Sequence, residues 1–239
     1  MARLLVGLPA LQGELEKYQA RFDMLELRPI DTPIPRSGTL RKWRKAVPPG
    51  FVFSIVLPRV VGELTPSPAL DEALAASLEA AATVEARCIL LQTPASVRPT
   101  AQSRKRIAAL FARIPPEGTV RLWEPQGMWE REDILATARA AGVQPVFDAA
   151  REALPPGPIV YTRLRALGQS AQLGSATIEK VAERLRKRRE AFVVVEIAGE
   201  AQRVKAALTN ALAQKGSRTP GPMIVRPALS TLVAEDEEQ

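Results

Sequence analysis

The groups able to do chemistry in this sequence are carboxylates, guanidiniums and a phenol, because its 239 residues include no histidine. That absence excludes Ser–His–Asp and Cys–His catalysis, histidine general bases and nearly every protein-bound zinc site. A single cysteine, Cys88, excludes an internal disulfide and any cysteine-rich metal centre. It leads into Ile89-Leu90-Leu91, so it reads as a buried strand residue and not as a reactive thiol. Glu26, Glu124 and Asp148 remain as candidate catalytic carboxylates, with Gln92, Tyr161 and Arg163 as candidate ligand-binding groups. Three carboxylates could divide acid and base duties or hold a hard cation such as magnesium, but no spacing here specifies a metal and none is expected. Without a Walker motif or a GxGxxG sequence, no nucleotide cofactor is expected either.

Each of these residues falls at or near the end of a short apolar run. Such runs cover 4–8, 24–28, 51–57, 88–92, 120–123, 144–147, 159–164 and 192–197. Between them lie helical patterns over 11–21, 38–46, 70–84, 102–113, 130–141, 176–189 and 200–214. Short strands alternating with amphipathic helices are the mark of a parallel sheet, and eight strands, each followed by a helix or a loop, predict a single-domain TIM-type (β/α)8 barrel over residues 1–214. A barrel of this kind builds its site at the C-terminal ends of its strands. Glu26 and Arg28, Gln92, Glu124, Asp148, Tyr161 and Arg163 all sit there.

Strand parity narrows the geometry. If Leu25 and Leu27 face the helices, Met24, Glu26 and Arg28 face the barrel interior. A carboxylate there needs a partner, and Arg163, in phase with Tyr161 near the end of the seventh strand, is the natural one. A purely structural ion pair explains that pairing as well as a binding role does. Thr100 and Ser175 are expected N-caps, and Gly142 suits the position past a helix end. After Asp148, Pro155-Pro156-Gly157-Pro158 leaves room for only a turn or a frayed helix.

Composition is consistent with one globular unit, with 46% hydrophobic and 25% charged residues. No apolar run is long enough to cross a bilayer and none resembles a secretory leader, so a cytoplasmic protein is expected. The net charge of +7 admits a nucleic-acid partner. Yet its clusters, Arg41 to Lys45, Arg104 to Arg106 and Arg184 to Arg189, fall on helices whose outer faces are solvated. Trp43, within the first cluster, is expected to pack on the barrel, while Trp123 and Trp129 suit a pocket wall or the core equally. Gly168, Gly174 and Ser175 hint at a phosphate loop, which the acidic Glu200 near the eighth strand opposes. Residues 215–239 read as a flexible linker and an acidic tail, ending in Glu235-Asp236-Glu237-Glu238.

Several segments resemble the YecE-like family, a widespread domain of unknown function. They are Arg21-Phe22-Asp23-Met24-Leu25-Glu26-Leu27, Thr39 to Trp43, Pro48 to Ser54, Leu90 to Pro94, Trp123 to Trp129, Asp148 and Tyr161 to Leu164. The resemblance runs from about Val6 to Leu212 and implies a TIM-type barrel. Four departures accompany it. Val56, Gln126 and Arg165 stand where the family usually has lysine, arginine and histidine, and Glu196-Ile197-Ala198 replaces asparagines after the last strand. The resemblance therefore implies a divergent member with a sparsely equipped mouth. It favours a binding or accessory role, with a small anionic ligand as the expected partner, over catalysis. A histidine-free hydrolase, lyase or isomerase acting on a small anionic or phosphorylated substrate is the alternative. Nucleic-acid binding through the basic helices is a third class.

Overall fold

The computed structural model describes residues 3–29, 33–165 and 173–214. Eight parallel strands form one sheet. They are β1 (Arg3–Leu8), β2 (Met24–Leu27), β3 (Val52–Val56), β4 (Cys88–Thr93), β5 (Val120–Pro125), β6 (Gln144–Pro145), β7 (Ile159–Leu164) and β8 (Glu190–Val195). The sheet runs β6-β5-β4-β3-β2-β1-β8-β7, so consecutive strands are neighbours and the first pairs with the last. This is a (β/α)8 barrel. Around it lie α1 (Leu15–Gln19), α2 (Ser37–Ala46), α3 (Arg59–Gly62), α4 (Pro68–Thr83), α5 (Ala101–Phe111), α6 (Arg131–Ala141), α7 (Ser175–Arg186) and α8 (Ala201–Gln214).

The seam between β6 and β7 is the weak point of the closure. β6 spans two residues, one of them Pro145, which has no N–H for a ladder. Among the described residues, only the bridge between Phe147 and Thr162 carries the sheet across. The Thr162 hydroxyl compensates, donating to the Phe147 carbonyl at 2.8 Å and accepting from the Ala149 N–H at 2.8 Å. The sixth strand is thus shorter than the sequence pattern over 144–147 suggests.

Alternation along each strand sorts the core into two parts. Residues such as Leu25, Leu27, Phe53, Ile55, Leu91 and Trp123 face outwards and join the large cluster beneath the helices. The opposite parity, including Met24, Val56, Leu90, Leu122 and Val194, fills the barrel interior. Cys88 is fully buried in that interior, and its thiol pKa is pushed up by burial, as suits a packing residue.

Local chemistry sets the helix boundaries. Thr100 caps α5 by accepting the Ser103 N–H at 3.1 Å, as expected. Gly142 follows α6 in the left-handed region. Ser175, by contrast, is the first helical residue of α7, and Gly174 occupies the cap with no side-chain bond. The helix expected over 11–21 shrinks to α1 because Gly13, at φ 73°, turns the chain before it. The sequence pattern gave no hint of α3. Pro155–Pro158 lies in turns, as its composition requires. The linker and tail expected over 215–239, and Gly168, lie outside the described residues.

Gly62 ends α3 against the backbone of β4, where an added Cβ would stand 2.2 Å from the Gln92 carbonyl oxygen. That oxygen belongs to backbone, so it cannot rotate away. Gly62→Ala should therefore destabilise the barrel by about 1–3 kcal/mol, the usual range for overpacking. A lowered urea midpoint with an unchanged denaturant slope is the expected result.

Candidate functional site

The barrel interior is largely apolar, and on five of its strands it turns polar towards the C-terminal end. Met24 is followed by Glu26 and Arg28, Leu90 by Gln92, Leu122 by Glu124, Tyr161 by Arg163 and Arg165, and Val194 by Glu196. Parallel pairing brings these positions level. Glu26 pairs with Ser54, and Gln92 pairs with Glu124. Three carboxylates and three guanidiniums meet at the C-terminal mouth.

Arg163 is the hub. It is 1% exposed and reaches three carboxylates. One Nη2 donates to Glu26 Oε2 at 2.6 Å and Nη1 to Glu196 Oε1 at 2.9 Å. Its Nε lies 2.8 Å from Glu124 Oε2, an ionic contact without the alignment of a hydrogen bond. Burial works against the charge on Arg163, but Glu26 and Glu124 outweigh it and hold the guanidinium firmly protonated. Beneath it, the Tyr161 hydroxyl donates to Glu26 Oε2 at 2.5 Å and lies 3.1 Å from Ser54 Oγ. Burial and the Glu26 charge raise the phenol's pKa well above its ordinary value, so Tyr161 stays a neutral donor.

The outer layer repeats the pattern. Arg28 donates to Glu26 Oε1 at 3.2 Å and to Glu196 Oε1 at 2.8 Å. Arg165 donates to Glu124 Oε1, whose other oxygen accepts from Gln92 Nε2 at 3.2 Å. Burial disfavours the ionised form of Glu196, yet hydrogen bonding from Arg28 and the charge of Arg163 hold its carboxyl below the usual range.

Above this network opens a cavity of about 740 Å³, lined by Arg28, Gln92, Glu124, Gln126, Arg165 and Glu196 together with Pro125 and Gly127. Of the sequence candidates, Gln92 and Glu124 face it directly. Glu26, Tyr161 and Arg163 form the buried layer beneath. Asp148 stands apart: its Oδ1 accepts from the Ala150 N–H at 2.8 Å and its Oδ2 from the Arg165 N–H at 3.4 Å. Burial raises its pKa against those bonds. Asp148 holds the turn that carries Arg165 and does not join Glu26 and Glu124 in a carboxylate cluster. Arg163 itself stands between the latter two. Among the described residues no group of three acidic or cysteine side chains is placed to hold a metal ion.

In the sequence, Glu196 and Arg165 stand out only as departures from a family pattern. Their parity with Val194 and Arg163 was the available signal. In β8 that signal is masked, because Phe192 to Val195 is apolar on both faces. The tryptophans divide as their contacts dictate. Trp123 and Trp129 pack edge to face at 4.9 Å, donating to Thr93 Oγ1 and the Val97 carbonyl, and belong to the core. Trp43 packs on the barrel's outer core and is partly buried.

Over residues 6–226 the chain matches the family model described as "Protein of unknown function DUF72". It belongs to that family. The match covers the stretch in which the motif resemblance was read. No curated protein matches by sequence. Among solved structures, a DUF72 protein from Enterococcus faecalis V583 superposes with a TM-score of 0.68 at 16% identity, covering 89% of this chain and 98% of that one. A DUF72 protein from Thermotoga maritima MSB8 gives 0.58 at 17%, covering 90% and 98%. A D-psicose 3-epimerase with D-tagatose from Clostridium cellulolyticum H10 gives 0.54 at 10%, covering 90% and 93%. These likenesses establish the barrel.

Removing one member of a buried ionic group leaves its partners uncompensated. Arg163→Met should cost this DUF72 barrel about 3–5 kcal/mol, and adding Glu26→Gln should restore part of it. Equal costs for the single and double variants in chemical denaturation would contradict the coupling. The depressed pKa of Glu196 has its own consequence. Its contribution to stability is present above the unfolded value and is lost as pH falls through the folded one. Below roughly pH 4.3, Glu196→Gln should lose stability less steeply than the parent, though it starts lower.

Proposed function

We propose that this chain is a ligand-binding DUF72 barrel whose mouth accepts a small, uncharged, polyhydroxylated molecule and performs no proton-transfer chemistry on it. The carrying observation is the charge balance of the mouth: every carboxylate there is bound by at least one guanidinium. A general base needs a free lone pair within reach of the proton it takes. Glu26 has both oxygens engaged by arginines and a tyrosine, and Glu124 by arginines and Gln92; Glu196 is held through Oε1 alone, but Arg28 and Arg163 lower its pKa and so weaken it as a base. What such a lining offers instead is an alternation of donors and acceptors with little net charge. Hydroxyl groups, which donate and accept at once, match it. The likeness to a barrel holding D-tagatose is one of fold alone, so the carbohydrate reading rests on the lining.

One observation favours the second reading, a histidine-free hydrolase, lyase or isomerase acting on a small anion. Arg165 is 44% exposed at the lip and could meet an anionic group. Its pairing with Glu124 argues against that use. Nucleic-acid binding is the less supported class, since several guanidiniums of the basic helices are tied to groups of the barrel itself. Arg44 donates to the Pro48 carbonyl, Arg184 to Ala149, Arg186 to Ala211 and Arg188 to Gly157, while Arg104 pairs with Asp133.

Thermal unfolding against a panel of neutral sugars and polyols, beside their phosphorylated forms, tests the reading. At a hundredfold excess over Kd a neutral binder should stabilise by about 2.7 kcal/mol, which raises Tm by roughly 5–10 °C. Gln92→Ala should abolish most of that shift. Stabilisation by phosphorylated compounds alone, or turnover of any panel member, would overturn the proposal.

A further inference from the structure

A second cavity, of about 240 Å³, opens beside the mouth and is of a different character. Its walls are Leu11, Pro33, Ile34, Pro35 and Trp43, and it meets the buried layer at Glu26 and Arg28. Arg28 also lines the mouth, so a single guanidinium is the partition between the two spaces. That guanidinium is held from below, since its bonds to Glu26 and Glu196 fix it in the floor. Trp43 comes from α2, whose inward anchor is the buried Leu40 three residues earlier. The indole therefore sits on a fixed helix and is only partly buried. Its N–H has no hydrogen-bond partner among the described residues, unlike those of Trp123 and Trp129. Apolar surface left uncovered beside a polar site is costly unless something covers it.

We propose that the ligand has two parts, a polyhydroxylated head in the mouth and a single flat apolar ring, of the kind an aryl glycoside carries, in the side cavity against Trp43. This deepens the binding role proposed above and rests on it. Size supports one ring: an apolar cavity of roughly 150 Å³ admits benzene, and this one exceeds that without room for a large fused system. The walls support it too, because indole and proline rings present flat faces to a flat partner. Arg28 lines both spaces, so they are adjacent, and a molecule that passes over its guanidinium can occupy both.

Titration of the full chain with paired phenyl and methyl glycosides of several hexoses tests this, followed through the indole N–H resonances of its three tryptophans. Trp43→Phe assigns the relevant resonance. Phenyl glycosides should shift it and bind on the order of tenfold more tightly than their methyl partners, the gain expected from burying one ring. Trp43→Ala should reduce phenyl affinity to the methyl level while leaving methyl affinity unchanged. Methyl and phenyl glycosides binding equally, with Trp43 unmoved, would overturn the two-part ligand and leave the mouth reading intact. Binding of neither would sink both. A Trp43 shift that depends on protein concentration without ligand would mean that a second copy covers this face, and would overturn the inference.

Discussion

The mouth of this barrel is organised by one constraint: a guanidinium cannot be taken out of water without partners. Arg163 is at the centre because three strands supply it with carboxylates, Glu26 from β2, Glu124 from β5 and Glu196 from just beyond β8. Each of those carboxylates is itself removed from water to some degree and requires more than one donor. Glu26 obtains Tyr161 and Arg28, Glu124 obtains Arg165 and Gln92, and Glu196 obtains Arg28. The network closes on itself. It ties strands from opposite sides of the barrel, and none of these charges can be changed in isolation.

This closure also alters the meaning of the departures from the family pattern. Read one at a time, Arg165 in place of histidine and Glu196 in place of asparagine look like losses, and a sparsely equipped mouth is the natural expectation. In the fold the two substitutions are complementary. Arg165 neutralises Glu124, and Glu196 supplies the third carboxylate to Arg163 and Arg28. The mouth is therefore rich in charged groups and poor in unengaged ones. A site can lack chemistry because its polar groups have been removed or because they are bound to one another, and this one is of the second kind.

How much of this was legible beforehand depended on whether a strand alternates. In β2, Leu25 and Leu27 define the outer face, so the inward placement of Glu26 and its pairing with Arg163 could be read from parity. In β8 the run Phe192 to Val195 is apolar on both sides, as a strand buried between the interior and the helices must be, and the face of Glu196 was hidden. The placement of Asp148 was hidden for another reason. It lies at a strand end like the others, but β6 is cut short at Pro145, and the chain there turns instead of pointing a side chain inwards. A carboxylate followed two residues later by a backbone N–H within reach caps its own turn. Sequence position alone does not distinguish that from a carboxylate aimed at a pocket.

The same self-satisfied network bears on specificity. A pocket whose charges are already paired gains little from an ionic ligand, which must either compete with an existing partner or leave one exposed. A ligand of alternating hydroxyls disturbs no pair and adds hydrogen bonds at the rim, so the discrimination runs against charge. Affinity from such bonds is modest, because each replaces one to water. Tight binding by this mouth would then have to draw on apolar burial, and the nearest uncovered apolar surface is the cavity beside Arg28. On the proposed reading, the charge balance of the mouth and the apolar wall at Trp43 are complementary halves of one recognition problem, one selecting a ligand's polar head and the other supplying its affinity.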